Sequence, residues 1–226
     1  MAGSEVHFVK SSPARGCSVD YGSRVPGPYS HVFCGTPDVW SALCPSCERP
    51  LVQLLSLDTR DPLLSATDSG LGRLPLLFCW GCGRAGGIRF YSVDGALVVP
   101  LWRPRRARAA QWPYADYPAA FPGTPARLVP LPNEVQAHLR HLNLHLSAPA
   151  GSVEIRRPCH QVGGEPLLLA PWRIVVCPRC RRRMPFCAAI ADENLDPRGF
   201  SAHAQAQVLF HVCRGCKTVG AYAQAR

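Results

Sequence analysis

Four Cys-x-x-Cys pairs carry the most chemistry in this chain, and they fall into two matching sets. Cys44/Cys47 goes with Cys79/Cys82, and Cys177/Cys180 goes with Cys213/Cys216. The pairs of the first set stand 31 residues apart and those of the second 32, so eight of the 12 cysteines are accounted for. Two thiolates three positions apart on a tight turn reach one ion at about 2.3 Å, and two such turns complete a tetrahedron. No coordination position is left for water, so the sequence predicts two structural zinc ions that stabilise folding and do no chemistry. Redox disulfides within the pairs are the alternative, disfavoured by the matched spacing.

The remaining thiols, Cys17, Cys34, Cys159 and Cys187, have no assigned role. Cys159 stands directly before His160, and neighbours on an extended chain point to opposite faces, which argues against a catalytic dyad. Cys187 reads as a small core residue. The loops around His31 and His160 share a His-x-x-x-Gly-x-Pro pattern. They admit two readings: a groove in which glycine lets a ligand approach, or a turn in which the histidine hydrogen-bonds the loop, the second being preferred. His138, His141 and His145 recur at helical spacing, but a metal face there lacks acidic support. Asp58, Asp61, Asp192 and Asp196 recur at equivalent places, which admits two readings, a duplicated carboxylate site or turn formers before proline, the second being preferred. The chain has no phosphate-binding glycine loop, no Gly-x-Ser-x-Gly elbow and no His-Glu-x-x-His helix, and the expectation is a protein that is not an enzyme.

The elements that must position the cysteines read as strands. Apolar runs bounded by proline, glycine and aspartate lie at 51–57, 74–79, 87–93, 96–101, 172–177, 185–190, 207–213 and 219–224, with Asp94-Gly95 as a hairpin turn. In each half one strand leaves the first cysteine pair and another enters the second, so a metal would staple the end of an antiparallel pair. The halves match beyond the cysteines: HVFCGTP with HQVGGEP, Trp40 with Trp172, and LLFCWGC with FHVCRGC. One helix begins at Asn133, with Val135, Leu139, Leu142 and Leu146 as its apolar stripe. The expected fold is therefore mainly β (β-rich α+β): two pseudo-symmetric antiparallel lobes, each with a four-cysteine zinc site, plus one short helix. The expected division is 1–100 for the N-terminal lobe, 101–132 for a Pro/Arg/aromatic connector, and 133–226 for the helix and C-terminal lobe.

The formal charge of +10 overstates the basic excess. Eight thiolates would remove eight charges and two divalent ions return four, which leaves about +6. Arg103, Arg105, Arg106 and Arg108, and the cluster Arg179, Arg181, Arg182 and Arg183, hold much of it. RNA binding through these arginines is the alternative function, with Trp102, Trp112, Tyr114 or Tyr117 as stacking platforms. No stretch approaches the roughly 18 apolar residues of a membrane span, and zinc-type cysteine usage fits the cytoplasm.

HQVGGEP, CPRC, RRRMPFCAAIADEN and VLFHVCRGC over 158–226 resemble the YwqG-like family. CPSCERPLVQLLSLD and LPLLFCWGCG in the first half are closer to its eukaryotic relatives in the superfamily of programmed cell death protein two and a yeast ribosome-biogenesis factor. The resemblance implies a duplicated, zinc-supported β body that binds a protein partner without catalysis, as a chaperone of a ribosomal client or as an immunity-type protein that holds a toxin. The second half departs from the pattern in having Phe186, Cys187 and Ala188 where the first has Gln53. His31, Trp40, Trp80, His160 and Trp172 are the candidate partner-binding residues.

Overall fold

The computed structural model describes residues 15–22, 27–39, 42–64, 70–83, 87–102, 111–144, 160–192, 199–201 and 206–225. Among the described residues eleven strands follow in chain order: β1 (Cys17–Tyr21), β2 (His31–Phe33), β3 (Val52–Asp58), β4 (Arg73–Phe78), β5 (Arg89–Asp94), β6 (Leu97–Pro100), β7 (Thr124–Pro130), β8 (His160–Val162), β9 (Phe186–Ala191), β10 (Ala206–Cys213) and β11 (Thr218–Ala225). Two α-helices among the same residues accompany them, α1 (Trp80–Gly83) and α2 (Asn133–Leu144). Every strand pairing is antiparallel, and the spatial order is β4-β3-β2-β7-β1-β8-β9-β10-β11-β5-β6.

The duplication is visible as two meanders, β2-β3-β4 and β8-β9-β10, that run outward in opposite directions from the central pair β7 and β1. They diverge at the fourth strand. In the second half β10 turns directly into β11, whereas in the first half β5 leaves its own meander and pairs with β11. The sheet curls until β4 lies against β11. There the Tyr91 hydroxyl, on β5, accepts the Leu77 N–H at 2.8 Å and donates to the Pro75 carbonyl at 2.9 Å. Tyr91 thereby satisfies backbone groups that the edge strand β4 would otherwise leave unpaired in the interior.

β3 and β10 are buried along their whole length, each paired on both sides and covered on both faces. One core holds Phe33, Leu54, Phe78, Trp80, Tyr91 and Phe210 inside the curl, and a smaller one on the other face gathers Leu168, Val175, Met184, Leu209 and Tyr222. Seven of the eight expected strands are present within two residues of their expected ends. The run 172–177 is not a strand of the sheet: Val175 packs onto Gly220 and Phe90, and the backbone pairs within the knuckle instead, the Met184 N–H donating to the Val175 carbonyl and Val176 bridging Arg183. Part of the 101–132 stretch is sheet, because Thr124–Pro130 pairs on both sides, with β1 and β2.

Candidate metal centres

Each knuckle is built by one local hydrogen-bond pattern. In the first, the Cys44 N–H donates to the Arg49 carbonyl (2.9 Å), the Glu48 N–H donates to the Cys44 carbonyl (2.7 Å), and Leu43 bridges Pro50. In the second, the Cys177 N–H donates to Arg182 (2.8 Å), the Arg181 N–H donates to Cys177 (3.0 Å), and Val176 bridges Arg183. The last turn residue takes positive φ in both, 60° at Glu48 and 61° at Arg181, although neither is glycine. Proline at Cys44-Pro45 and Cys177-Pro178 presets the turn's opening φ.

The companion pairs sit where the antiparallel register brings them back. Val52 of β3 lies opposite Phe78 of β4, so Cys79 and Cys82 emerge beside the first knuckle. Phe186 of β9 lies opposite His211 of β10, so Cys213 and Cys216 emerge beside the second. All four sulfurs of each quartet lie within 4.8 Å of one another, with Cys47–Cys79 at 3.7 Å and Cys180–Cys213 at 3.6 Å. Four sulfurs at about 2.3 Å from a central ion span tetrahedron edges of about 3.8 Å, so the geometry fits a metal ion. All eight cysteines of the quartets are free, with no disulfide among them. Without an ion the thiols share protons: the hydrogen bond from Cys79 holds Cys44 down to about 5, while Cys79 is pushed up.

The two centres differ in cover. Trp112 of the connector lies over Gly81, between Cys79 and Cys82, and the Arg49 guanidinium stacks on the same ring at 4.6 Å. Tyr114 and Tyr117 fasten that connector by donating to the Gly199 and Phe200 carbonyls at 3.2 and 2.9 Å. At the second centre no described residue stands within 4 Å of the position a Cβ would take at the equivalent Gly215, and Cys180 is exposed. These aromatics therefore pack against the body, and Tyr117 is buried.

Both loop histidines are buried, at strand starts. His31 Nδ1 accepts the Asp58 N–H (3.0 Å), which places its proton on Nε2, donated to Asp61 (2.9 Å). Both nitrogens are thus used in holding the Asp58–Asp61 turn. His160 lies among the rings of Tyr21 and Phe33, and burial holds it down to about 3. Trp80 is buried against Phe78 and Phe200, and Trp172 is 41% exposed. Trp40, Cys159, His145, Leu146, Asp196 and Arg103, Arg105, Arg106 and Arg108 lie outside the described residues.

The three described aspartates of the recurring set, Asp58, Asp61 and Asp192, cap backbone N–H groups. Asp58 accepts from the Ser30 N–H and from Arg60, and Asp192 accepts from the N–H groups of Phe200 and Ser201. Sequence reasoning did not find the buried glutamines that hold the 163–170 loop. Gln161 donates to the Gly163 and Glu165 carbonyls, and Gln207 and Gln224 donate to those of Leu167 and Ala170. Glutamine inside an apolar run was the available signal. His138 is half-buried and His141 exposed on α2, and among the described residues the two cysteine quartets are the groups able to hold a metal.

No helix among the described residues is long and apolar enough to cross a membrane. Comparison with known proteins brings no match, whether to protein-family models, curated proteins or solved structures.

Proposed function

We propose that this chain is a non-enzymatic, zinc-stabilised protein-binding module of the cytoplasm, related to the YwqG-like family and working as a chaperone-like or immunity-type protein. Four thiolates in a tetrahedral arrangement suit zinc above harder cations, and a filled coordination shell leaves no site for substrate. Bound zinc would supply metal–sulfur bonds that pin each knuckle to the end of its hairpin. The other described thiols are poor nucleophiles: burial pushes Cys17 up to about 11 and Cys34 and Cys187 up to about 12.

The observation that carries the binding role is the placement of exposed apolar side chains. Trp172, Ile174 and Val176 line the segment that crosses the sheet. Leu97 and Val99 lie opposite Asp94 and Ser92 on the free edge strand β6, and Ser92 is within reach of Arg179, which ties the two groups to one face. Among the described residues β6 is paired on one side alone, which suits an extended segment adding to the sheet. The test is affinity capture from the native cell at low and high salt, with zinc quantified in the same sample. A stoichiometric protein partner retained at high salt supports the proposal. Recovery of nucleic acid alone, lost as salt rises, replaces it with the RNA-binding alternative.

A further inference from the structure

The two knuckles are internal controls for one another, because the same backbone carries different side chains. Cys44-to-Pro50 and Cys177-to-Arg183 share their hydrogen bonds, their bridge and their positive-φ residue. The first bears Ser46, Glu48, Arg49 and Pro50, and the second bears Arg179, Arg181, Arg182 and Arg183. Neutralising a zinc–thiolate cluster does not account for this excess, since the first quartet has the same charge and one arginine beside a glutamate. From 166 to 191 the chain contains five arginines and no acidic residue. Among the described residues, no carboxylate lies within ion-pair distance of Arg181, Arg182 or Arg183.

An apolar ridge runs into this cluster. Val175 is buried on Gly220, while Trp172, Ile174 and Val176, on the alternate positions, are exposed at 41%, 55% and 38%. Trp172 is steadied edge-on against Phe186 and His211, at 6.0 and 5.2 Å between centroids. A ridge of one tryptophan and two β-branched side chains offers little base stacking, which disfavours single-stranded nucleic acid. It does offer burial to apolar side chains, beside guanidiniums that pair with carboxylates.

We infer that the outer face of the second knuckle docks an acidic, apolar-containing segment of a partner protein, with Trp172, Ile174 and Val176 taking its apolar side chains and Arg181, Arg182 and Arg183 its carboxylates. This deepens the protein-binding proposal and rests on it.

The test uses the full zinc-loaded chain and three labelled probes: a dodecapeptide alternating glutamate with leucine, one alternating glutamate with serine, and a 12-nucleotide oligouridine. The glutamate–leucine peptide binds best, and Arg181→Ala/Arg182→Ala/Arg183→Ala and Ile174→Ser each weaken it at least about tenfold. Zinc content per chain reports whether each variant is folded. If the triple variant loses zinc, Ile174→Ser and the glutamate–serine peptide decide the matter. Absence of peptide binding, equal binding by the variants, or tighter oligouridine binding that the arginine variant abolishes overturns the inference. A cellular partner that the folded triple variant still captures also overturns it while leaving protein binding standing. Failure of the wild type to capture any protein removes the reading beneath it.

Discussion

Adding one methyl group at Gly81 separates the two metal centres. A Cβ there would stand 2.6, 2.9 and 3.0 Å from three carbons of the Trp112 ring, against an ordinary carbon–carbon contact of about 3.5–4.0 Å. The ring must retreat by about 1 Å or tilt away, and overpacking of this kind costs roughly 1–3 kcal/mol. Displacing the ring also weakens the Arg49 stacking, worth roughly 0.5–1 kcal/mol. Opposing this, alanine in the α1 turn is better than glycine by about 1 kcal/mol, which leaves a net loss of about 0.5–3 kcal/mol. For a chain of this size that lowers Tm by roughly 1–12 °C. The same substitution at Gly215 meets no described residue within 4 Å and should leave Tm within about 2 °C. The assay is thermal unfolding of Gly81→Ala and Gly215→Ala beside chelator-driven metal release, with Gly81→Ala accelerating release from the first quartet. Equal effects at the two glycines, or none at Gly81, would refute the cover assigned to Trp112.

Chelation of the wild type should be biphasic, the second quartet emptying first because Cys180 is exposed whereas its counterpart Cys47 is half-buried, and Cys180→Ser should remove the fast phase. Tyr91→Phe leaves the Leu77 N–H and Pro75 carbonyl without their partner, a cost of roughly 2–4 kcal/mol readable in guanidinium unfolding. Burial holds His160 down to about 3 and His211 down to about 4, from an ordinary 6.5. The unfolded chain takes up those protons and the folded chain does not, so stability is full above about pH 6.5. It falls as pH drops below that, by up to about 1.4 kcal/mol per unit per histidine, and His160→Phe should flatten the slope between pH 7.5 and 5.5. Glu48→Gly relieves a left-handed non-glycine residue at φ 60° and should raise stability by roughly 1 kcal/mol in the metal-loaded protein, with Tm as the check.

The quartets were legible because coordination depends on local spacing, and the strands that flank them were legible because they are long apolar runs. The middle of the sheet was hidden for identifiable reasons. β2 and β8 have three residues each, too few to show alternation. β7 is bounded by Pro125 and Pro130 inside a proline-rich stretch, and so resembles a linker. Conversely, WRIVVC has β-branched content that suits a strand, but Gly220 lets it lie across the sheet instead. The tie from β5 to β11 is a long-range pairing that no local pattern encodes. Among the candidate anchors, Trp80 and Trp172 carry the same side chain, and only the curl of the sheet decides which one is buried.

Zinc stoichiometry by native mass spectrometry tests the central claim most directly. Wild type should carry two zinc ions per chain, Cys44→Ser and Cys177→Ser one each, and the double variant none, with thermal stability falling in step. A folded wild-type chain that carries no metal, or one whose Cys-x-x-Cys pairs are disulfides, would contradict the account.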